Sequence, residues 1–245
     1  LTDDQGYGDL GCYGAESFIT PNIDSMANQG MLFTNFYVSQ AVCSASRASL
    51  MTGSYAERVG IQGALSPWSV NGLNPNIETI PKLLKRYGYV NAIFGKWHLG
   101  HKQKFLPLQH GFDSYLGVPY SNDMSKGELP LVKDNKVVEV DIDQSLLTKR
   151  YTDFGIDFIK SEAGKVHFIL YLAHTIPHIP LAASSNYKGT SKGGLYGDVI
   201  EEIDGSVGAI IRELKDQGLL KNTLVIFFFR TCFRLTGQRL FRLFQ

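Results

Sequence analysis

"VHFILYLA", Val166–Ala173, is a continuous apolar run broken only by His167. A strand with one wet face alternates apolar and polar residues. An unbroken run of this length is the pattern of a strand covered on both faces, as in a parallel sheet. Helical patterns flank it. Upstream, a helix over roughly 143–162 carries Leu146, Leu147, Tyr151, Phe154 and Phe158. Downstream, the longest helix, about 195–217, places Val199, Ile200, Ile203, Val207, Ile210, Ile211 and Leu214 on its buried side. The same alternation continues outward. "VNAIFGKW" (90–97) reads as a buried strand after a helix in "ETIPKLLKRYGY" (78–89), with Ile80, Leu83, Leu84 and Tyr87 on one face and Gly88 as its stop. "TPNIDSMANQG" (20–30) reads as a helix with Thr20 as cap, Pro21 in the first turn and Gly30 as stop. "MLFTNFYV" (31–38) and "NTLVIFFF" (222–229) read as strands. Strands alternating with helices predict an α/β sandwich with a largely parallel central sheet flanked by helices. Residues 119–142 are polar and read as an insertion over one face. No repeat is visible.

The chain of 245 residues suits one large α/β domain. At that length roughly three-quarters of the unfolded surface is buried, so no staples are needed. Cys12, Cys43 and Cys232 are an odd set without a CxxC pair, which excludes a disulfide framework or zinc cage. The net charge is +1, but 227–245 carries Arg230, Arg234, Arg239 and Arg242 and no acid. Removing those four from 24 basic residues leaves 20 against 23 acidic ones, a net of −3, so the body offers no nucleic-acid surface. No run is long enough to span a membrane. The chain opens on "LTDDQGYGDLG", where "LT" reads as the end of a strand whose beginning is missing; the record is read as cut before any targeting segment.

In such sheets ligands bind beyond the carboxyl ends of the strands. Asp3 and Asp4 follow the first strand end, Lys96 and His98 follow "VNAIF", and His174 and His178 follow "VHFILYLA". Adjacent carboxylates suit a hard divalent cation, although one capping and one solvated acid explain the pair as well. A lysine and an imidazole two residues apart suit an anionic substrate and its leaving group, or a Trp97-anchored loop with two solvated groups. His178, bracketed by Pro177 and Pro180, is held more firmly than His174, which reads as a packed or surface residue.

"VCSASRASLMTG" (42–53) reads as a helix start with Ser44 or Ser46 as cap. Cys43 then sits at a helix N-terminus, where the dipole favours negative charge and lowers a thiol pKa, and Arg47 one turn later reaches back to it. A buried structural cysteine, or a thiol that is only a precursor, are the other readings.

These residues together resemble the formylglycine-dependent sulfatases of the arylsulfatase branch. "CSASR" is similar to their Cys-x-Pro/Ala-x-Arg signature, and "SRASLMTG", "TDDQGYGDLGCYG", "GKWHLG", "GFDSYLGVPYSND" and "PHIP" stand in the family's order over about residues 1–226. The resemblance implies an alkaline-phosphatase-like α/β fold and hydrolysis of sulfate esters of sugars or aryl alcohols. It implies that a formylglycine-generating enzyme oxidises Cys43 to an aldehyde whose hydrate attacks sulfur, its second hydroxyl then expelling sulfate. It further implies a calcium ion on Asp3 and Asp4 beside Cys43, Arg47 on the hydrate, Lys96 and His98 on nucleophile and sulfate, Ser121 as a further hydroxyl contact, and His178 as proton donor to the leaving oxygen. The implied partners are a small sulfated substrate and the modifying enzyme, with no nucleic acid or membrane, in a periplasmic, secreted or lysosomal space.

The match ends after "NTLVIF". The family continues with Ser-Asp-Asn-Gly, which supplies two further calcium ligands; Arg230 and Thr231 stand here, and arginine cannot ligate a cation. Residues 227–245 are therefore read as an aberrant tail on a partial catalytic domain, and this form is expected to be inactive or nearly so. A non-catalytic remnant or binding protein, a phosphomonoester or phosphonate hydrolase, and a plain cysteine hydrolase remain open on the residues alone.

Overall fold

The computed structural model describes residues 1–125 and 128–229. Five strands form one sheet in the order β4-β3-β2-β1-β5. β1 (Val90–Gly95) lies parallel to both β2 (Ser114–Gly117) and β5 (Phe168–Ala173), with Val90 opposite Phe168, Gly95 opposite Ala173 and Ile93 opposite Tyr115. β3 (Leu131–Lys133) and β4 (Lys136–Glu139) then add antiparallel beyond β2. The centre of the sheet, β2-β1-β5, is parallel as expected, and the antiparallel edge that makes the sheet mixed comes from part of the 119–142 segment, an edge hairpin rather than a pure insertion. The physical reason is a two-residue turn, Asp134-Asn135, with Asp134 at φ 57 between the paired Lys133 and Lys136. Its strands are too short to show a period of two.

Alternation along the strands sorts the core onto two faces. Ala92, Phe94, Leu116 and Leu131 pack on Leu147, Tyr151 and Phe158 of α4 (Leu147–Glu162). Ile93, Tyr115 and Val132 pack on Ala45, Ala48 and Met51 of α2 (Cys43–Thr52) and on Trp97. α5 (Gly194–Asp216) crosses α4, where Thr152 and Ser206 exchange a hydrogen bond of 2.5 Å, and its residues Val199, Ile200 and Ile203 close a third cluster with Leu10, Ile176 and Ile23 of α1 (Pro21–Gln29).

Four expectations change. Residues 31–38 form no strand and leave Met31, Phe33, Phe36 and Tyr37 exposed. Of the expected strand 222–229, Asn222 ends a short 3-10 helix and 223–229 join no strand of the sheet; among the described residues the Thr2 N–H donates to the Phe228 carbonyl at 3.3 Å, and Phe227 and Phe229 pack into the third cluster. β5 is half-buried except at Ala173; among the described residues its outer edge is met by the first residues, the Leu1 amine donating to the Leu172 carbonyl and the His174 N–H to the Leu1 carbonyl. In α3 (Ile80–Lys85) Ile80 and Leu83, like Tyr87 beyond it, are exposed, and Pro81 is the buried residue. The expected tail beyond Phe229, with Arg230 and Thr231, lies outside the described residues.

The cap of α1 also comes from elsewhere. Thr20 occupies the cap position, but its hydroxyl accepts from Gly11 N–H and donates to Asp24. The buried Asp204 carboxylate of α5 accepts the Asn22 and Ile23 N–H groups instead, 182 and 181 residues away in sequence.

Candidate active site

The carboxyl ends of β1 and β5 meet at Gly95 and Ala173, and only glycine fits there. Gly95 has φ 127, and a Cβ on it would lie 1.8 Å from the Ala173 carbonyl oxygen. A Cβ on Gly117, at the end of β2, would lie 1.7 Å from the Gly95 oxygen. The chain can then turn inward at once, with the Lys96 N–H donating to the Ala173 carbonyl at 2.7 Å.

Lys96 is wholly buried and is the hub. Its ammonium pairs with the Asp3 carboxylate, donates to Ser121 Oγ at 2.8 Å, and stands 3.8 Å from Cys43 Sγ. Arg47, also buried, donates from Nη1 to the Lys96 carbonyl and holds Nη2 3.6 Å from Asp3 Oδ1. Its Nε and Nη2 protons have no hydrogen-bond acceptor among the described residues. Asp3 therefore lies between two cations, Lys96 and Arg47. Unused guanidinium donors in a buried place are suited to an incoming anion.

Cys43 is the first residue of α2, as expected, but neither serine caps that helix. Val42 holds the cap position; Ser44 Oγ accepts from the Leu65 N–H at 2.9 Å and Ser46 Oγ donates to the Cys43 carbonyl at 3.1 Å. The helix keeps its unsatisfied amides near Cys43, which favours negative charge there. An Asp3 oxygen, Cys43 Sγ and a His178 ring nitrogen all lie within 4.8 Å of one another. His178 Nδ1 faces the Ile179 carbonyl at 2.7 Å, and Nε2 is 3.4 Å from Asp4 Oδ2. Burial and the Lys96 charge lower the pKa of this ring; the hydrogen bond with Cys43, the Asp3 charge and the Ile179 carbonyl outweigh them, so the pKa is raised.

His98 hydrogen-bonds outside this network but feels the charges of Lys96, Arg47 and Asp3. Its backbone is at φ 58, and Nε2 meets the Leu65 carbonyl at 2.7 Å. Burial first, then the Lys96 charge, holds its pKa well below the usual value, so the ring is neutral. A carbonyl partner fixes the proton on Nε2 and leaves the Nδ1 lone pair without a partner among the described residues. Sequence gave no signal for this, since the partner is a backbone carbonyl in another loop. His174 is packed, as read, with its pKa lowered by burial to about 3. Asp4 adopts φ 63, a conformation that aspartate tolerates at some cost and that concentrates at functional sites.

The Sulfatase family profile matches residues 1–228. This chain belongs to the sulfatase family. It is similar to the N-acetylgalactosamine-6-sulfatase of Rattus norvegicus, 42% identical over 93% of this chain and 48% of that protein, and to the arylsulfatase A of Bos taurus, 37% identical over 93% and 50%. Among solved structures it is similar to a Bacteroides thetaiotaomicron sulfatase studied in the metabolism of multiple glycosaminoglycans, with a TM-score of 0.83 and 25% identity over 91% of this chain and 59% of that one. It is also similar to Ps i-CgsB in complex with a neocarrahexaose, with a TM-score of 0.76 and 30% identity over 89% and 54%. The fold is the alkaline-phosphatase-like α/β sandwich, and the chain spans about half the length of the curated relatives it matches.

The donors fit a hard dication in kind. Asp3, grouped with Cys43 and His178, and the neighbouring Asp4, 3.4 Å from His178, offer carboxylate oxygens, whereas an unmodified Cys43 thiol is a soft donor of the sort zinc takes. In charge, Lys96 and Arg47 already balance the two acids, so a bound dication leaves the site positive and ready for an anion. Within the described residues no helix is long and apolar enough to cross a membrane.

Proposed function

We propose that this chain carries the catalytic half, residues 1–226, of a hydrolase of sulfate esters on sugars or aryl alcohols, with Cys43 as the residue converted to formylglycine. The observation that carries the reading is the placement of Cys43 at the start of α2, 3.8 Å from the Lys96 ammonium and within reach of Asp3 and His178. The hydrated aldehyde supplies one hydroxyl as nucleophile and a second that allows sulfate to be released. Asp3 and Asp4 would hold a calcium ion, which supplies Lewis-acid polarisation of a sulfate oxygen. Lys96 and Arg47 offer fixed positive charge to the sulfate oxygens, and Ser121 anchors the Lys96 ammonium. His98, neutral and fixed by Leu65, presents a lone pair that can accept a hydroxyl proton. His178, whose Nδ1 proton is held by the Ile179 carbonyl, carries a second proton at Nε2 next to Asp4 when its ring is charged, and that proton can go to the departing alcohol. Overall one ester S–O bond is broken and the elements of water are divided between alcohol and sulfate. The names of the relatives support a glycan sulfate as substrate, and a periplasmic, secreted or lysosomal setting is what the family resemblance implies.

The test is coexpression with a formylglycine-generating enzyme, mass analysis of the Cys43 peptide, and turnover of 4-nitrophenyl sulfate against 4-nitrophenyl phosphate with and without calcium. The expected result is an aldehyde at Cys43, with whatever turnover remains dependent on calcium and preferring sulfate. An intact thiol with no sulfate turnover overturns it, and a preference for phosphate assigns the chain to phosphomonoester or phosphonate chemistry instead. A converted Cys43 without turnover identifies the 245-residue form as a non-catalytic remnant, the outcome expected of a calcium site lacking acids at Arg230 and Thr231.

A further inference from the structure

Ser44 follows Cys43 in the first turn of α2 and is wholly buried, yet it does not cap the helix. Its hydroxyl oxygen leaves α2 and accepts the Leu65 N–H at 2.9 Å. The carbonyl of the same Leu65 meets His98 Nε2 at 2.7 Å. The residue beside Cys43 and the imidazole of His98 thus hold the two sides of one loop residue. Both bonds are buried, and neither Leu65 group has a second partner among the described residues.

The two ends of this relay differ in how firmly they are mounted. α2 is packed through Ala45, Ala48 and Met51 against Ile93 and Tyr115 at the centre of the sheet. His98 stands in a loop at φ 58, a backbone state that persists only where the surroundings determine it. Other bonds hold the loop beyond Leu65. Ser69 Oγ accepts the Ser66 N–H at 2.8 Å, and the Leu73 N–H donates to the Leu99 carbonyl at 2.8 Å. A carbonyl can only accept, so the place of the Leu65 oxygen decides which ring nitrogen carries the proton. Without the Ser44 oxygen the buried Leu65 N–H is left unpaired, which is costly. The loop then shifts toward another acceptor and carries the Leu65 carbonyl away from the ring.

The geometry points to Ser44 as a positioning residue: through Leu65 it sets the tautomer of His98, with the proton on Nε2 and the lone pair on Nδ1. Its consequence for the reaction rests on the sulfate-ester reading, in which that lone pair accepts a hydroxyl proton; the tautomer itself does not. The experiment is long-range proton–nitrogen correlation NMR of the histidine rings in the isotope-labelled 245-residue chain, with the Cys43 thiol unmodified and no sulfate ester present. His98 is assigned by the signals lost in His98→Asn. The native ring is expected to show one protonated nitrogen, Nε2, and one unprotonated, Nδ1. Ser44→Ala should draw the two shifts together as tautomers mix, and should speed exchange of the Leu65 amide proton about tenfold. Ser44→Thr, which returns the hydroxyl, should restore both. Ser69→Ala, which loosens the same loop beyond Leu65, should leave the tautomer as in the native chain, whereas a merely structural role for Ser44 would make the two alanine variants alike. A native ring with its proton on Nδ1 or already mixed, a fixed tautomer retained in Ser44→Ala, or an equal change in Ser69→Ala overturns the assignment. Should Ser44→Ala fail to fold, Ser44→Cys takes its place; its thiol is a weak acceptor, so the two shifts should move part of the way, and an unchanged pair overturns the assignment. If the ring behaves as expected while the converted chain turns over no sulfate ester, the role of Ser44 stands and the sulfate-ester reading falls.

Discussion

Replacing Lys96 by methionine is the sharpest test of how the site is held together. Methionine keeps most of the volume, so the main change is electrostatic. Asp3, wholly buried, loses its ammonium partner and retains only the Arg47 guanidinium at 3.6 Å. Removing one member of a buried pair costs roughly 3–5 kcal/mol, because the remaining charge is left without compensation. Arg47 at that distance still contributes an attraction of about 4–5 kcal/mol at an effective dielectric near 20, which places the expected loss at the lower end, about 3 kcal/mol. For a chain of this size that is a fall in Tm of roughly 6–12 °C. The double variant Lys96→Met with Asp3→Asn removes both charges and should recover most of the loss, giving a coupling of at least about 1.5 kcal/mol in a double-mutant cycle. The assay is urea unfolding followed by fluorescence, in chelator so that no cation substitutes for Lys96. A single-variant loss below about 1 kcal/mol, or additive single and double variants, would refute the claim that Asp3 and Lys96 are one electrostatic unit.

Other outcomes follow from the same structure. Burial, then the Lys82 charge, lowers the His110 pKa to about 4, while the unfolded ring titrates near 6.5, so the unfolded state binds the extra proton; stability is unaffected above pH 6.5 and falls as pH drops from there toward 4. Melting curves from pH 7 to 4.5 should show that loss, and His110→Phe should flatten it by up to about 1.4 kcal/mol per pH unit; an unchanged slope counts against a neutral buried ring. Gly95→Ala should cost about 3 kcal/mol or more through its overlap with Ala173, whereas Gly164→Ala, at φ 72 with open space around it, should cost only about 1–2; equal melts would contradict the close approach at the strand ends. Asp204→Ala should destabilise by about 2 kcal/mol by uncapping α1 across the fold, more than Thr20→Val does, as read by thermal unfolding of both variants.

Much of this protein was legible in its sequence, for reasons that are local. Long apolar runs and 3.6-residue periods are properties of contiguous residues, so β1, β5, α4 and α5 were placed within a few positions. Asp3, Asp4, Lys96, His98 and His178 are legible as short motifs at strand ends, Cys43 and Arg47 from a helix start, and Ser121 only through the family resemblance. What sequence could not decide is what depends on partners far away in the chain. Residues 31–38 are β-prone yet form no strand, since no ladder partner meets them. The β3–β4 hairpin forms from a polar stretch because β2 offers it an edge. Asp204, rather than Thr20, caps α1, and a loop carbonyl at Leu65 fixes the proton on His98. Chain composition thus settled which side chains are available for the chemistry. Tertiary packing decided their charge states and directions, since desolvation and hydrogen-bond partners are set only when distant segments close around them.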